Sequence, residues 1–162
     1  MIFRAAWLAA LTLCAAPSAA QVISAHHDWA ALRFGGQCEA RSRAVRVQRG
    51  HPPAIAGFTF GRAGRLQGQF YVRLSRSPRS GSTAILTVGN QPFLLATRGE
   101  WAWGRGARQD AAIMAAARYA GSMRVESRHA GGGRLVDRYS LAGAATAIDA
   151  AAAACALAGK SR

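Results

Sequence analysis

The chain has few acidic residues and almost no lysine. Asp and Glu together number seven among 162 residues, and Lys160 is the only lysine among 21 basic residues. So few carboxylates leave little material for acid–base catalysis by paired acids. The formal net charge is +14, and a charge of this size attracts anionic partners over about a Debye length, ~10 Å. The surface is therefore either a solvated basic surface or one that binds polyanions.

The common motifs of nucleophilic catalysis and phosphate binding are also missing. No Gly-x-Ser-x-Gly occurs, and Leu157 stands where a Ser-x-x-Lys arrangement needs serine before Lys160. The run Gly131–Gly133 lacks the following Gly-Lys-Ser/Thr of a phosphate-binding loop, so we interpret it as a hairpin turn. No catalytic residue and no cofactor is predicted.

Two acidic residues are the only candidates for hydrolytic chemistry. Glu126 and Asp137 fall in one predicted hairpin, where one pairing sets Glu126 opposite Arg138. Arginines surround both acids, which favours structural ion pairs and leaves a hydrolase as a minor alternative.

His26 and His27 are adjacent, so they point to opposite faces of an extended chain. They predict a mobile polar segment near the N-terminus and no metal site.

Residues 1–20 have the pattern of a secretory signal peptide. A positively charged start ending at Arg4 precedes the apolar run Ala5–Ala16, and small residues follow up to Ala20. This pattern predicts cleavage after Ala20, leaving a single β-rich domain over residues 21–162. The apolar run is shorter than the roughly 20 residues that a membrane span needs. The bulky Leu13 disfavours lipidation of Cys14. We expect a periplasmic or secreted protein without an integral membrane span after cleavage.

The processed chain would contain two cysteines, Cys38 and Cys155. In an oxidising compartment they favour one intramolecular disulfide, with free buried thiols or an intermolecular bridge as the alternatives. A bridge closing a loop of more than a hundred residues stabilises a fold by about 4–5 kcal/mol in the chain-entropy model.

Alternation of apolar and polar residues predicts a mainly β protein. The clearest case is Gln69–Ser75, where Phe70, Val72 and Leu74 share one face. Similar patterns predict strands over the following segments: Trp29–Phe34, Cys38–Ala40, Ala44–Gln48, Gly57–Phe60, Thr83–Val88, Pro92–Thr97, Ser122–Arg128 and Arg134–Tyr139. Turn signals recur every eight to twelve residues, which is typical of a single-domain antiparallel β-sandwich or barrel-like fold.

Two small helices interrupt this pattern, over about residues 109–120 and 147–158. Asp110 is the predicted N-cap of the first, and Gly121 its left-handed C-terminal residue. The segment Thr146–Asp149 matches a capping box and begins the second, with Gly159 as its stop. The second helix would carry Cys155 inward, towards the strand that contains Cys38.

The most promising surface cluster combines tryptophan with arginine: Trp101, Trp103, Arg105 and Arg108. Aromatic rings that alternate with guanidinium groups stack on bases or sugars and neutralise anionic groups. The same spacing also fits a tryptophan pair that faces the core, with arginines at the entrance of a helix. Both interpretations remain open on the sequence alone.

Several short segments resemble the invasion-associated locus B family of exported alphaproteobacterial proteins. They are Asp28-Trp29 followed by Cys38, Asn90–Phe93, Met123–Glu126, Ser140–Gly143 and the alanine-rich terminal helix with Cys155. The resemblance implies a periplasmic or surface-associated β-sandwich-like domain, in a family linked to host-cell invasion without an established chemical activity.

These observations together predict a non-enzymatic exported protein that serves as a protein-interaction or accessory module. Its expected partner is an envelope or host protein. The alternative is a basic surface protein that binds a polyanion, such as lipopolysaccharide, a glycan or nucleic acid.

Overall fold

The computed structural model describes residues 20–47, 49–61 and 67–158. The predicted signal peptide, apart from Ala20, and the predicted helix stop Gly159 lie outside the described residues. Within these residues, ten strands and two helices follow one another. Their bounds are β1 Gln21–His26, β2 Trp29–Phe34, β3 Gln37–Arg43, β4 Ile55–Gly61, β5 Gln67–Arg73, β6 Ala84–Val88, β7 Gln91–Arg98, β8 Trp101–Trp103, α1 Ala107–Tyr119, β9 Ser122–Arg128, β10 Arg134–Ser140 and α2 Ala144–Ala158.

All strands belong to one antiparallel sheet in the order β1-β2-β3-β4-β5-β8-β7-β6-β9-β10. The first five strands form a meander. The chain then crosses to β6 and returns through β7, so that β8 pairs with β5. Helix α1 leads to β9, which adds to the far side of β6. The sheet curls into a half-barrel, which confirms the predicted mainly β, barrel-like fold with two helices.

The two helices pack on the concave face of the sheet, which we call the inner face. Helix α2 lies against β1 to β4, and α1 lies mainly against β5. Burial alternates along the strands, as expected where one face covers a core. Phe58 on β4 lies between two other inner-face rings, with its centroid 6.1 Å from that of Trp29 and 5.4 Å from that of Phe70.

A disulfide between Cys38 and Cys155 joins β3 to α2, with 5.7 Å between the two Cα atoms. Both residues are buried in the core. The structure confirms the expected intramolecular disulfide. It excludes the two alternatives, which were free thiols and an intermolecular bridge.

Two buried carboxylates attach separate parts of the chain to one another. Asp137 on β10 accepts hydrogen bonds from the backbone N–H and the hydroxyl of Ser75, at 3.0 and 2.6 Å. Asp110 on α1 accepts one from the backbone N–H of Phe70 at 3.2 Å. Gly104 leaves the space that the Asp110 carboxylate occupies, because a Cβ there would collide with it. These hydrogen bonds hold the segment after β5 against β10, and the first turn of α1 against β5.

The predicted N-caps of both helices are wrong, and so is the predicted C-terminal residue of α1. Helix α1 begins at Ala107 after Gly106, without a side-chain cap, because the Asp110 carboxylate points inward to Phe70. It ends at Tyr119, and the extended Ala120 follows in place of a left-handed Gly121. Helix α2 begins at Ala144, so Thr146 lies inside its first turn.

Gly143 explains the earlier start of α2. Its φ is +85°, and a Cβ there would collide with the carbonyl group of His26. The start of α2 thus packs directly against the backbone of β1.

The predicted strand Ala44–Gln48 is also wrong. Strand β3 ends at Arg43, and residues 44–47 are irregular, while Gln48 lies outside the described residues. Val45 and Val47 are 67% and 59% exposed, so their alternation does not mark a buried face. The Val45 N–H donates to the carbonyl of Arg138 at 2.8 Å, a single contact and not a ladder.

Two further expectations are corrected. The segment of His26 and His27, predicted to be mobile, is the end of strand β1 and the turn into β2, where His26 pairs with Trp29. In the β9–β10 hairpin, Glu126 lies opposite Val136 and not opposite Arg138.

Within the described residues, neither helix is long and apolar enough to cross a membrane.

Candidate functional site

The convex outer face of the sheet carries a shallow groove of about 340 Å³ across β3, β4, β5 and β8. We call it the aromatic groove. Its lining includes Glu39, Arg41, Gln69, Tyr71, Trp101 and Trp103. These side chains come from strands inside the sheet, which hold them on a backbone whose hydrogen-bonding groups face neighbouring strands.

Both tryptophans of β8 belong to the outer face. Between them, Ala102 is fully buried on the inner face, whereas Trp101 is 43% exposed and Trp103 is half-buried. A strand alternates its side chains between two faces, so a buried Ala102 requires both tryptophans to point outward. The structure therefore places the pair at the surface, and the alternative of a core-facing pair is excluded.

Tyr71 forms the wall of the groove next to the tryptophans. Its ring centroid lies 5.9 Å from that of Trp101, with 47° between the ring planes. Its hydroxyl donates to Oε2 of Glu39 at 2.8 Å. Burial, followed by the Glu39 charge, raises the pKa of Tyr71 well above its usual range. The phenol therefore stays protonated and keeps the Glu39 carboxylate in place.

Gly57 on β4 provides the space in which Tyr71 lies across the sheet. A Cβ at this position would come within 2.6 Å of the Ala40 carbonyl oxygen and 2.9 Å of the Tyr71 hydroxyl oxygen. Any larger residue would push the tyrosine out of the groove or separate the strands. The sequence pattern identified this strand, but it did not indicate why glycine is needed there.

The cross-strand register places arginines beside Trp101 that sequence proximity did not identify. On β5, Arg73 lies directly opposite Trp101, and on β7, Arg98 lies opposite it from the other side. Arg98 is exposed, and Arg73 donates from Nη2 to the carbonyl of Pro53 at 3.1 Å. Trp101 thus has an arginine neighbour on each side. These neighbours follow from the register of the sheet and not from the spacing of residues along the chain.

The predicted Arg105 and Arg108 do not line the aromatic groove. Both are exposed around the start of α1, and the backbone N–H of Arg105 donates to the side chain of Gln109. Of the four predicted binding residues, the structure therefore brings together Trp101 and Trp103. Among the residues that line the groove, the positively charged one is Arg41, whose Nη1 lies 3.8 Å from Oε2 of Glu39.

The two candidate acids of the hairpin lie on opposite faces of the sheet. Glu126 faces outward between Arg134 and Arg124, and its contact with Arg134 is the first cause of its lowered pKa. Asp137 lies opposite the buried Val125 and points inward to Ser75. A sheet separates the two carboxylates, so they do not form an acid–base pair.

A larger open hollow of about 660 Å³ lies beside the β1–β2 turn. Its one tryptophan, Trp29, is buried, and the indole N–H donates to the carbonyl of Ser140 at 2.9 Å. That ring packs in the core, so it is not available to a ligand.

Among the described residues, no three His, Cys, Asp or Glu side chains are grouped in a way suited to a metal ion.

The described part of the chain is a curled antiparallel sheet, with two helices packed on its inner face and the aromatic groove on its outer face. Comparisons with protein-family models, with curated proteins and with solved structures find no match. The resemblance to the invasion-associated locus B family stays a prediction.

Proposed function

We propose that the protein is a non-enzymatic, exported binding module of the invasion-associated locus B type, and that its partner binds at the aromatic groove. One observation carries the proposal: Trp101 is 43% exposed on the outer face, while the core is closed beneath it by Ala102. Large exposed aromatic side chains are typical of interaction surfaces, where they supply contact area at a low cost in side-chain entropy.

Two observations support export. Strand β1 begins at Gln21, so cleavage after Ala20 would leave every strand intact. The Cys38–Cys155 disulfide fits an oxidising compartment outside the cytoplasm. Mass spectrometry of the processed N-terminus after fractionation of expressing cells tests this part. A chain that starts at Gln21 in the periplasm or medium is expected, and an uncleaved cytoplasmic chain contradicts it.

The charged groups on the outer face support binding over catalysis. Glu39 in the groove is already engaged by the Tyr71 hydroxyl and faces Arg41. Glu126 is likewise engaged by arginines. Arg134 and Arg124 lower the pKa of Glu126, so this carboxylate makes a poor general acid near neutral pH. A hydrolase remains the minor alternative, and it would need residues other than the Glu126–Asp137 pair.

The experiment is affinity capture from envelope extracts with the wild type and two variants. Trp101→Ala removes the exposed ring of the groove, and Tyr119→Ala is the control, because Tyr119 is a 91% exposed aromatic residue at the end of α1. The wild type and the control are expected to retain the same partner, and Trp101→Ala is expected to lose it. Equal retention by all three proteins contradicts the proposal.

Salt concentration separates a protein partner from a polyanion. Capture that survives moderate salt favours a protein-interaction module. Binding whose logarithm falls steeply and linearly with the logarithm of salt concentration favours a polyanion, because each neutralised anionic group releases counterions. The specific observation in favour of the polyanion is the position of Arg73 and Arg98 on either side of Trp101.

A further inference from the structure

We propose that the aromatic groove binds a short segment of an acidic saccharide, that is, of sugar rings bearing carboxylate, sulfate or phosphate groups. The inference rests on the proposed function, because it names the ligand class of the same groove. It is carried by three features found together on the outer face: tilted aromatic rings, polar side chains between them, and arginines around them.

The aromatic rings suit the apolar faces of sugar rings. Trp101 and Trp103 are two residues apart on one strand, which puts them ~6.6 Å apart along it. Tyr71 meets Trp101 at a centroid distance of 5.9 Å and at 47°. The rings therefore form the sides of a trough and not one flat platform. The electron-rich faces of aromatic rings attract the polarised C–H groups of a saccharide, as they attract cations.

The polar lining suits a ligand rich in hydroxyl groups. Glu39 uses Oε2 for the Tyr71 hydroxyl, and its carboxylate retains further acceptor capacity for a ligand hydroxyl. Thr59 and Gln69 line the same groove and provide donors as well as acceptors. Hydroxyl groups both donate and accept hydrogen bonds, so a mixed lining of this kind complements them.

The arginines explain why the saccharide should be acidic. Arg73 and Arg98 lie beside Trp101, and Arg41 lines the opposite part of the groove. Arginine forms charge-assisted, often bidentate hydrogen bonds to carboxylate, sulfate and phosphate groups. Within the groove Glu39 and Arg41 offset one another, and Arg73 and Arg98 add two positive charges beside Trp101.

Other ligand classes fit the groove less well. A nucleic acid stacks its flat bases on aromatic side chains, and the 47° between the Tyr71 and Trp101 rings offers no single flat platform for successive bases. An extended peptide commonly binds by adding a strand to a sheet edge. The groove lies on β3, β4, β5 and β8, which are all paired on both sides, so it offers no edge.

Isothermal titration tests the inference on the processed protein with four probes. Tetragalacturonate and a heparin-derived tetrasaccharide are the acidic saccharides. The methyl ester of tetragalacturonate keeps the sugar rings without their charge, and a short single-stranded oligonucleotide of equal charge keeps the charge without the sugar-ring faces. Trp101→Ala removes a ring of the groove, and Arg98→Gln removes the exposed arginine that lies opposite Trp101 on β7. Arg108→Gln is the matched control, because it removes one exposed arginine charge that is not a cross-strand neighbour of Trp101.

We expect at least one acidic saccharide to bind more tightly than both the methyl ester and the oligonucleotide. Loss of a stacking ring should weaken that binding about ten-fold or more. Arg98→Gln should weaken it several-fold, and Arg108→Gln should leave it within about two-fold of the wild type. Circular dichroism of each variant shows whether the fold is retained, and Arg98→Gln, an exposed substitution, keeps the test decisive if Trp101→Ala unfolds.

The inference is overturned if neither acidic saccharide binds, if the oligonucleotide binds as tightly, or if Arg98→Gln and Arg108→Gln have equal effects. Failure here while envelope capture still depends on Trp101 rejects the saccharide and retains the binding module. Failure of both experiments rejects the groove as a binding surface.

Discussion

The inner and outer faces of the sheet are built from the same strands, yet their side chains are committed to different tasks. Trp29 on the inner face is 1% exposed, packs on Phe58 and hydrogen-bonds to the carbonyl of Ser140. Trp101 on the outer face is 43% exposed and lies over a core that Ala102 already closes. The same residue type therefore stabilises the fold on one face and remains available to a partner on the other.

The acidic residues show the same contrast. Asp137 on the inner face satisfies two donors of Ser75 in a buried environment. Glu126 on the neighbouring strand faces solvent between two arginines. Buried hydrogen bonds are costly to break, whereas surface ion pairs contribute little. Substitutions on the inner face should thus change stability, and those at the groove should change binding.

The largest expected effect is loss of the disulfide on the inner face. Replacing Cys38 and Cys155 together by alanine should lower the free energy of unfolding by about 4–5 kcal/mol, because the bridge closes a loop of more than a hundred residues in the unfolded chain. Chemical denaturation of the processed protein measures it. A double variant as stable as the wild type would contradict the role we assign to the bridge.

Asp137→Ala should have the next largest effect. It leaves the buried backbone N–H and hydroxyl of Ser75 without their acceptor, at a cost of about 1–3 kcal/mol for each group that water does not reach. Urea denaturation measures the loss. Asp137→Asn is the control, since it keeps one acceptor oxygen and should lose less. An alanine variant no less stable than the asparagine variant would show that the contact is unimportant.

Gly57→Ala tests the point at which the two faces are linked. The added Cβ would meet the Ala40 carbonyl oxygen and the Tyr71 hydroxyl, which should cost about 1–3 kcal/mol and displace Tyr71 from the groove. Denaturation and saccharide titration should both change. Gly121→Ala is the matched control, because nothing lies within 4 Å of its Cβ position. Unaltered binding by a folded Gly57→Ala protein would remove Tyr71 from the site.

Asp110 provides a pH-dependent test of the inner face. Burial raises the pKa of Asp110 above 3.8, partly opposed by the hydrogen bond from the Phe70 N–H. A raised pKa favours the protonated form in the folded state, so its stabilisation is present below the unfolded pKa and is lost as pH rises through the folded pKa.

Asp110→Asn keeps an acceptor for the Phe70 N–H and carries no charge. Its stability relative to the wild type should therefore rise as the pH rises from about 3 to about 7. Denaturation at both pH values measures the difference. A difference that falls as pH rises would contradict the assigned direction of the pKa shift.

The smallest effect is expected for Glu126→Gln on the outer face. Arg134 and Arg124 lower the pKa of Glu126, so its stabilisation is present above the unfolded pKa and is lost as pH falls through the folded pKa. Because the pair is solvent-screened, the change near pH 7 should be about 0.5 kcal/mol or less. Denaturation at low and high salt checks it, and a loss as large as that of Asp137→Ala would remove the contrast between the faces.

Alternation within single strands was enough to predict much of the sheet. Gln69–Ser75 overlaps β5, and Phe70 and Val72 face the core as expected. Ala44–Val47 shows the limit of this signal, because an alternating segment becomes a strand only where a neighbour supplies ladder hydrogen bonds. The predicted N-cap of α1 was wrong for a related reason, because the Asp110 carboxylate accepts a hydrogen bond from the distant Phe70 and not from its own helix.

The site could be predicted only in part. The spacing of Trp101 and Trp103 shows that they share a face, but which face depends on how β8 packs in the sheet. Arg105 and Arg108 are close to the tryptophans only along the chain. Arg73 and Arg98 are the true neighbours of Trp101, and the pairing of β8 with β5 and β7 decides this. Register between distant strands is not encoded in local spacing.

The most direct test of the central claim uses the indole N–H signals of the ¹⁵N-labelled processed protein. Trp29, on the inner face, is the internal reference, and Trp101 and Trp103 report on the groove. On addition of the acidic saccharide that binds most tightly in the titrations, the signals of Trp101 and Trp103 are predicted to shift while that of Trp29 stays in place. A shift confined to Trp29, or equal shifts of all three signals, would contradict the assignment of binding to the outer face.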